Sequence, residues 1–288
     1  MIPPPQTAAA PAGKSKSPSM SSKIPFRPRK IRRLSSSSDT SIKIVKSPES
    51  PNAESSISPK IRKSLSCKTE IDLALEHLRN SDPLLAALIS AHRPPELTPC
   101  ISPFQSLSRS ILYQQLAIKA AKSIYTRFIS LCGEESSVLP ETVLSFTPQK
   151  LREIGVSARK ASYLHDLADK YATGILSDSS ILEMDDDTLM TMLTAVKGIG
   201  MWSVHMFMIF SLHRPDVLPV GDLGVRKGVQ SLYGLKQLPN PQQMEEVCEK
   251  WKPYRSVGSW YMWRLMEAKA TGPSAAATRV EVAQNGAF

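Results

Sequence analysis

From about residue 70 onward, apolar positions recur every three or four residues, the spacing that lines one face of a helix. The stretches "IDLALEHLRN" and "PLLAALISAH" show it first, and the Asp82-Pro83 pair between them supplies a capping side chain and a first-turn proline. "PFQSLSRSILYQQLAIKAAKSIYTRFISLCG" reads as one long amphipathic helix, or two in succession, ending near Gly133. "TPQKLREIG" and "SARKASYLHDLADKYATG" each open on a Ser or Thr cap and close on glycine. The periodicity continues through "MDDDTLMTMLTAVKGIG", "MWSVHMFMIFSLH", "GDLGVRKGVQSLYG", "NPQQMEEVCEKW" and "SVGSWYMWRLMEAKA". Runs alternating with period two are absent. The pattern predicts an all-α fold of about ten short helices over residues 69–271, flanked by tails at 1–68 and 272–288.

One junction is unusual: Gly198-Ile199-Gly200 joins two of these helices. The glycines permit backbone angles closed to other residues and let a second backbone approach. Ile199 is expected to turn inward as a plug. The second helix then opens with free amides, a ready seat for phosphate oxygens. A helix–hairpin–helix of this kind suits gripping a DNA backbone without reading its sequence; a plain turn in a helical bundle is the alternative. A lone carboxylate, Asp222 in "LPVGDLGVRKG", follows. It is also a natural N-cap for "LGVRKGVQ". Asp185-Asp186-Asp187 precedes a helix and reads as a set of partners for its dipole rather than a metal site. His205 and His213 fall into no partner pattern.

Composition divides the chain. Residues 1–68 hold 14 Lys/Arg against 3 Asp/Glu, with 17 Ser, 10 Pro and a single aromatic, Phe26. Such a segment cannot bury enough apolar surface to offset its ordering entropy, so it is expected to be a disordered basic tail. "FRPRKIRR" at 26–33 fits a nuclear-import signal or a nonspecific nucleic-acid contact, and Arg32-Arg33-Leu34-Ser35 and several Ser-Pro pairs are candidate phosphate acceptors. The first 38 residues contain no acid, which keeps an organellar transit peptide as the alternative to the nucleus. No run of 18 apolar residues occurs and no secretory core precedes the tail, so no membrane partner is expected. Cys67, Cys100, Cys132 and Cys248 lie far apart without a C-x-x-C pair, which speaks against zinc and iron–sulfur sites and for an intracellular protein.

Leu193-x-x-Val196-Lys197-Gly198-Ile199-Gly200, an apolar helix, Leu218-Pro219-Val220-Gly221 and then Asp222 together resemble the signature of the helix-hairpin-helix (HhH-GPD) DNA glycosylase superfamily. "FQSLSRSILYQQLAIKAA", "LREIGVSARKASYLHDLA" and "WKPYRSVGSWYMWR" extend the likeness in family order over roughly residues 70–270, closest to the DNA-3-methyladenine glycosylases of the bacterial inducible and yeast type. The resemblance implies two helical lobes with the active site in the cleft between them. It makes Asp222 the catalytic aspartate, stabilising an oxocarbenium-like transition state or orienting water. Bifunctional members carry a lysine nucleophile two residues after the last hairpin glycine. Here that residue is Trp202, which cannot form a Schiff base, and Lys197 is expected to point elsewhere. A monofunctional base-releasing hydrolase follows.

The substrate implied is an alkylated purine of the 3-methyladenine or 7-methylguanine type. Such a cationic base would stack on Trp202, with Met206 and Tyr113 as further pocket candidates, although the bacterial inducible relative has tyrosine at the Met206 position. Of Trp260, Tyr261 and Trp263, one is expected to wall the pocket and the others to pack. Gln115 or Leu116 is the expected wedge into the base stack, and Gly198, Ile199 and Gly200 the phosphate grip. The resemblance requires no cofactor, but implies a structural Na+ or K+ on the carbonyls of Thr194, Val196 and Ile199 when DNA is bound. The partners it implies are damaged double-stranded DNA and downstream abasic-site repair enzymes, the protein acting as a monomer. A noncatalytic hairpin DNA-binding protein, and a glycosylase for a neutral modified base such as hypoxanthine, are the alternatives.

Overall fold

The computed structural model describes residues 64–97 and 101–271. The expectations for the basic tail up to residue 63, for 272–288 and for Cys100 lie outside the described residues. Within them the chain forms α1 (Lys68–Ser81), α2 (Pro83–Ala91), α3 (Pro103–Tyr113), α4 (Ile118–Cys132), α5 (Pro140–Ser145), α6 (Pro148–Glu153), α7 (Ala158–Ala172), α8 (Asp178–Glu183), α9 (Asp186–Thr194), α10 (Met201–Phe210), α11 (Leu223–Tyr233), α12 (Pro241–Cys248) and α13 (Arg255–Thr271), with no strand among the described residues.

The starts follow the caps written into the chain. Asp82 accepts the Leu84 and Leu85 amides, Thr147 that of Lys150, Ser157 that of Lys160 and Asp185 that of Thr188. Each satisfies a donor that the first helical turn leaves free. The segment read as one long helix or two is two, broken at Gln114–Ala117. The helix number exceeds the expected ten because α5 and α8 are only six residues long, too short to show a period. The tail boundary also moves: Leu65 is buried, and its amide donates to the His213 carbonyl at 2.9 Å, so Ser64–Cys67 belong with the folded body rather than the tail.

Two apolar cores result. α3 to α10 form an inner lobe around residues such as Phe104, Leu112, Phe128, Leu164, Leu193 and Phe207. α1 and α2 pack with α11, α12 and α13 into an outer lobe around Leu78, Leu85, Val229, Trp251 and Tyr261. The described residues thus begin and end in the outer lobe and make the inner one in between. Phe210 and Trp263 pack against both cores, their ring centroids 5.6 Å apart. The crossing back, 211–222, is pinned by the first turn of α13. Arg255 bonds Asp216, while Ser256 donates to the Arg214 carbonyl and accepts the Val217 amide.

Candidate active site at the lobe boundary

At the hairpin, Gly198 has φ +81, and a Cβ there would sit 2.1 Å from Cδ2 of Tyr163 on α7. Both the angle and the space demand glycine. Ile199 is buried as the plug, its amide donating to the Val196 carbonyl at 3.1 Å, while Lys197, Gly198 and Gly200 face solvent. Gly200 caps α10 without a side-chain bond, which leaves the leading amides of that helix open to an anion. Lys197 turns onto α7, where Asp166 accepts its backbone amide at 2.9 Å and its ammonium lies 3.1 Å away. Burial by itself raises the Asp166 carboxyl, but those two bonds and the charges of Lys170 and Lys197 bring it below its usual value. Gly198→Ala is expected to cost about 2–3 kcal/mol, combining a left-handed side chain with the Tyr163 overlap. A lower urea midpoint with weakened DNA binding is the measurement.

The carbonyls of Thr194, Val196 and Ile199 belong to this bend, and Val196 already accepts a hydrogen bond. A set of neutral oxygens with no carboxylate suits a weakly held monovalent ion better than a divalent one. Among the described residues no three His, Cys, Asp or Glu side chains gather as a metal site. Asp185 caps α9 and Asp186 lies 3.8 Å from Arg214, in keeping with a structural role for that acidic run.

Asp222 sits at the other side of the lobe boundary, half-buried at the N-terminus of α11. Three N–H groups converge on it. The Val225 amide donates to Oδ1 at 2.8 Å, Trp263 Nε1 to Oδ1 at 2.9 Å and Trp202 Nε1 to Oδ2 at 2.7 Å. Trp202 comes from α10 of the inner lobe, whereas Asp222 and Trp263 come from the outer lobe, so the carboxylate ties the two together. Gly224 makes this possible: a Cβ there would lie 2.9 Å from Cδ1 of Trp263. Trp202 remains 49% exposed despite its bond, leaving much of the indole open to a ligand. One turn along α10, burial pushes the His205 imidazole below its usual value.

Of the other sequence candidates, Met206 and Tyr113 lie in the inner core, Tyr113 edge-on to Tyr125 and 5.1 Å below the Arg109 guanidinium. Gln115 and Leu116 are exposed in the break between α3 and α4, and Gln115 adopts φ +55. Among the three aromatics of α13, Trp260 and Tyr261 are buried in the outer core and Trp263 is the one that reaches the acid. The missing side chain at Gly224, two positions past Asp222, was the available clue that a large ring approaches there.

A family model described as "HhH-GPD superfamily base excision DNA repair protein" matches residues 108–253, half of the chain, from the middle of α3 through the hairpin and Asp222 to the residues before α13. The chain belongs to this superfamily. Among curated HhH-GPD relatives, DNA-3-methyladenine glycosylase 1 of Schizosaccharomyces pombe is 32% identical over 197 residues, covering 68% of this chain and 86% of the relative. The crystal structure of a DNA-3-methyladenine glycosidase from Bacillus halodurans aligns with a TM-score of 0.64 at 35% identity, covering 68% of this chain and 90% of that one. The Schizosaccharomyces pombe 3-methyladenine DNA glycosylase in complex with abasic DNA aligns with a TM-score of 0.58 at 30% identity, over 68% of this chain and 97% of that one.

Proposed function

We propose that the protein is a monofunctional DNA glycosylase of base excision repair that hydrolyses the N-glycosidic bond of alkylated purines flipped from duplex DNA. The observation that carries this reading is Asp222, a carboxylate fixed by donors from both lobes beside an exposed indole. The names of the relatives, DNA-3-methyladenine glycosylases, support the substrate class.

The chemistry follows from the charges. A purine alkylated at N3 of adenine or N7 of guanine is cationic and leaves without an added proton, so no protein acid is needed. As the bond to the base lengthens, positive charge builds on the sugar, as in other glycosyl transfers. A fixed carboxylate stabilises that charge without having to reorganise, and an unused acceptor site can hold the attacking water. A carboxylate offers about four acceptor sites, and the three donors here leave room for one more contact. The hairpin amides take the phosphates, the open face of Trp202 receives the cationic ring, and Gln115 or Leu116 fills the space the base vacates. A monovalent cation on the carbonyls of Thr194, Val196 and Ile199 would add positive charge at the grip. The abasic product then passes to downstream repair enzymes.

Chromatography of the bases freed from alkylated duplex DNA tests the proposal, 3-methyladenine and 7-methylguanine being expected. Release of hypoxanthine alone from a deaminated duplex would move the substrate to the neutral class. Borohydride should trap no protein–DNA adduct, because Trp202 stands where a lysine nucleophile would be and Lys197 is held on Asp166. A trapped adduct would refute the monofunctional assignment.

A further inference from the structure

Gln114 leaves the C-terminus of α3, and its side-chain amide donates to the Gly198 carbonyl at 2.8 Å across 84 positions of chain. The turn that holds Gln115 and Leu116 is therefore bonded directly to the hairpin. The last turn of α3, which leads into it, is held from behind. Lys160, in the first turn of α7, donates its ammonium to the Leu112 carbonyl at 2.6 Å. Tyr163 and Asp166, one and two turns further along α7, meet Gly198 and Lys197. One face of α7 thus touches both elements, and the Gln114 amide closes the loop between them. Inside that frame the Leu116 amide donates to the Tyr113 carbonyl at 3.3 Å, and Gln115 is held in the left-handed region at φ +55, where side chains are uncommon.

We propose that Gln114 is a positioning residue for base extrusion: its amide locks the wedge turn to the hairpin, so that gripping the phosphates and entering the base stack become one rigid-body event. The inference rests on the excision reading above and deepens it. A wedge must enter the stack at a set height relative to the phosphates already held, and a misplacement of about 1 Å far from the chemistry is enough to cost on the order of 100-fold in rate. A solvent-exposed amide–carbonyl bond contributes little to overall stability. Its effect lies in the register it imposes on residues 115 and 116. Extrusion matters least where the base is already unstacked, which separates this role from a purely structural one.

The test compares full-length wild type with Gln114→Met, which keeps the side chain's length and removes its donors. Single-turnover excision of one alkylated purine is measured in a duplex and in the same oligonucleotide as a single strand. The ratio of duplex to single-strand rates should fall on the order of 100-fold, the scale of a contact misplaced by about 1 Å. Tm and the affinity for undamaged duplex should be unchanged. 2-Aminopurine fluorescence beside the lesion should show slower extrusion. An unchanged ratio would overturn the proposal, and so would equal losses on both substrates with a lower Tm, which would make Gln114 a residue of the fold. Failure of wild type to free a base from either substrate would overturn the excision reading itself.

Discussion

The Asp222→Asn protein is expected to bind alkylated duplex DNA with nearly wild-type affinity and to release its base about 10²- to 10⁴-fold more slowly, the range attributed to a fixed catalytic or electrostatic group. The substitution is well isolated by its surroundings. Asparagine keeps an oxygen for the Val225 amide, so the α11 cap survives and the fold should hold. What it removes is the negative charge and the second acceptor, which leaves an NH2 facing the Nε1–H of Trp202. Loss of rate with retention of binding is then a statement about the transition state. Single-turnover kinetics and a binding titration measure the two parts, and a variant rate within about tenfold of wild type would remove Asp222 from the reaction.

The largest expected effect on stability is at Asp82. Its side chain is fully buried, caps α2, and also accepts the hydroxyl of Tyr233 and the indole N–H of Trp251 at 3.0 Å, with the Lys250 ammonium 3.4 Å away. Asp82→Ala would strip three elements of a shared acceptor and is expected to cost about 3–5 kcal/mol. The effect should depend on pH. Burial alone raises the Asp82 carboxyl, but the bonds from Tyr233, Trp251 and Leu85 and the charge of Lys250 carry it below its ordinary value of 3.8. A carboxyl lowered by folding stabilises fully above the unfolded value, and that contribution fades as pH falls through the folded one. The difference in unfolding free energy between wild type and Asp82→Ala should thus be constant from neutrality to about pH 5 and shrink at more acid pH. Urea unfolding at several pH values reads it, and a difference that widens toward low pH would contradict the assignment.

Asp82 also marks how far the sequence alone could be read. Its cap was legible, because a cap is a local event in which the side chain meets amides two and three positions on. Its bonds to Tyr233 and Trp251 span 151 and 169 positions and leave no trace in spacing or composition. The hairpin was readable for the same local reason as the cap, since Gly198 and Gly200 mark a bend that few residues tolerate. Asp222 stood out through its place after that bend. Its two indole donors did not, since which aromatic of α13 faces the acid is decided by how α11 and α13 cross. α5 and α8 escaped periodicity by their length, and the capping box of α8 has Ser180 where a Glu or Gln would have marked it in the sequence. The break at Gln114–Ala117 lay hidden in an apolar pattern that runs unbroken from α3 into α4.

The order of lobes along the chain governs how the protein is made. α1 and α2 leave the ribosome before the other helices described, carrying Leu75, Leu78, Leu85 and Leu88, which pack between the two helices and against α11 to α13. The inner lobe, continuous from Pro103 to Phe210, is complete before those partners are translated. The two helices can cover each other only in part, so they wait through most of synthesis with apolar surface still open, a nascent state for chaperones to shelter. Only when α13 emerges are they enclosed, and the same event brings Trp263 to Asp222.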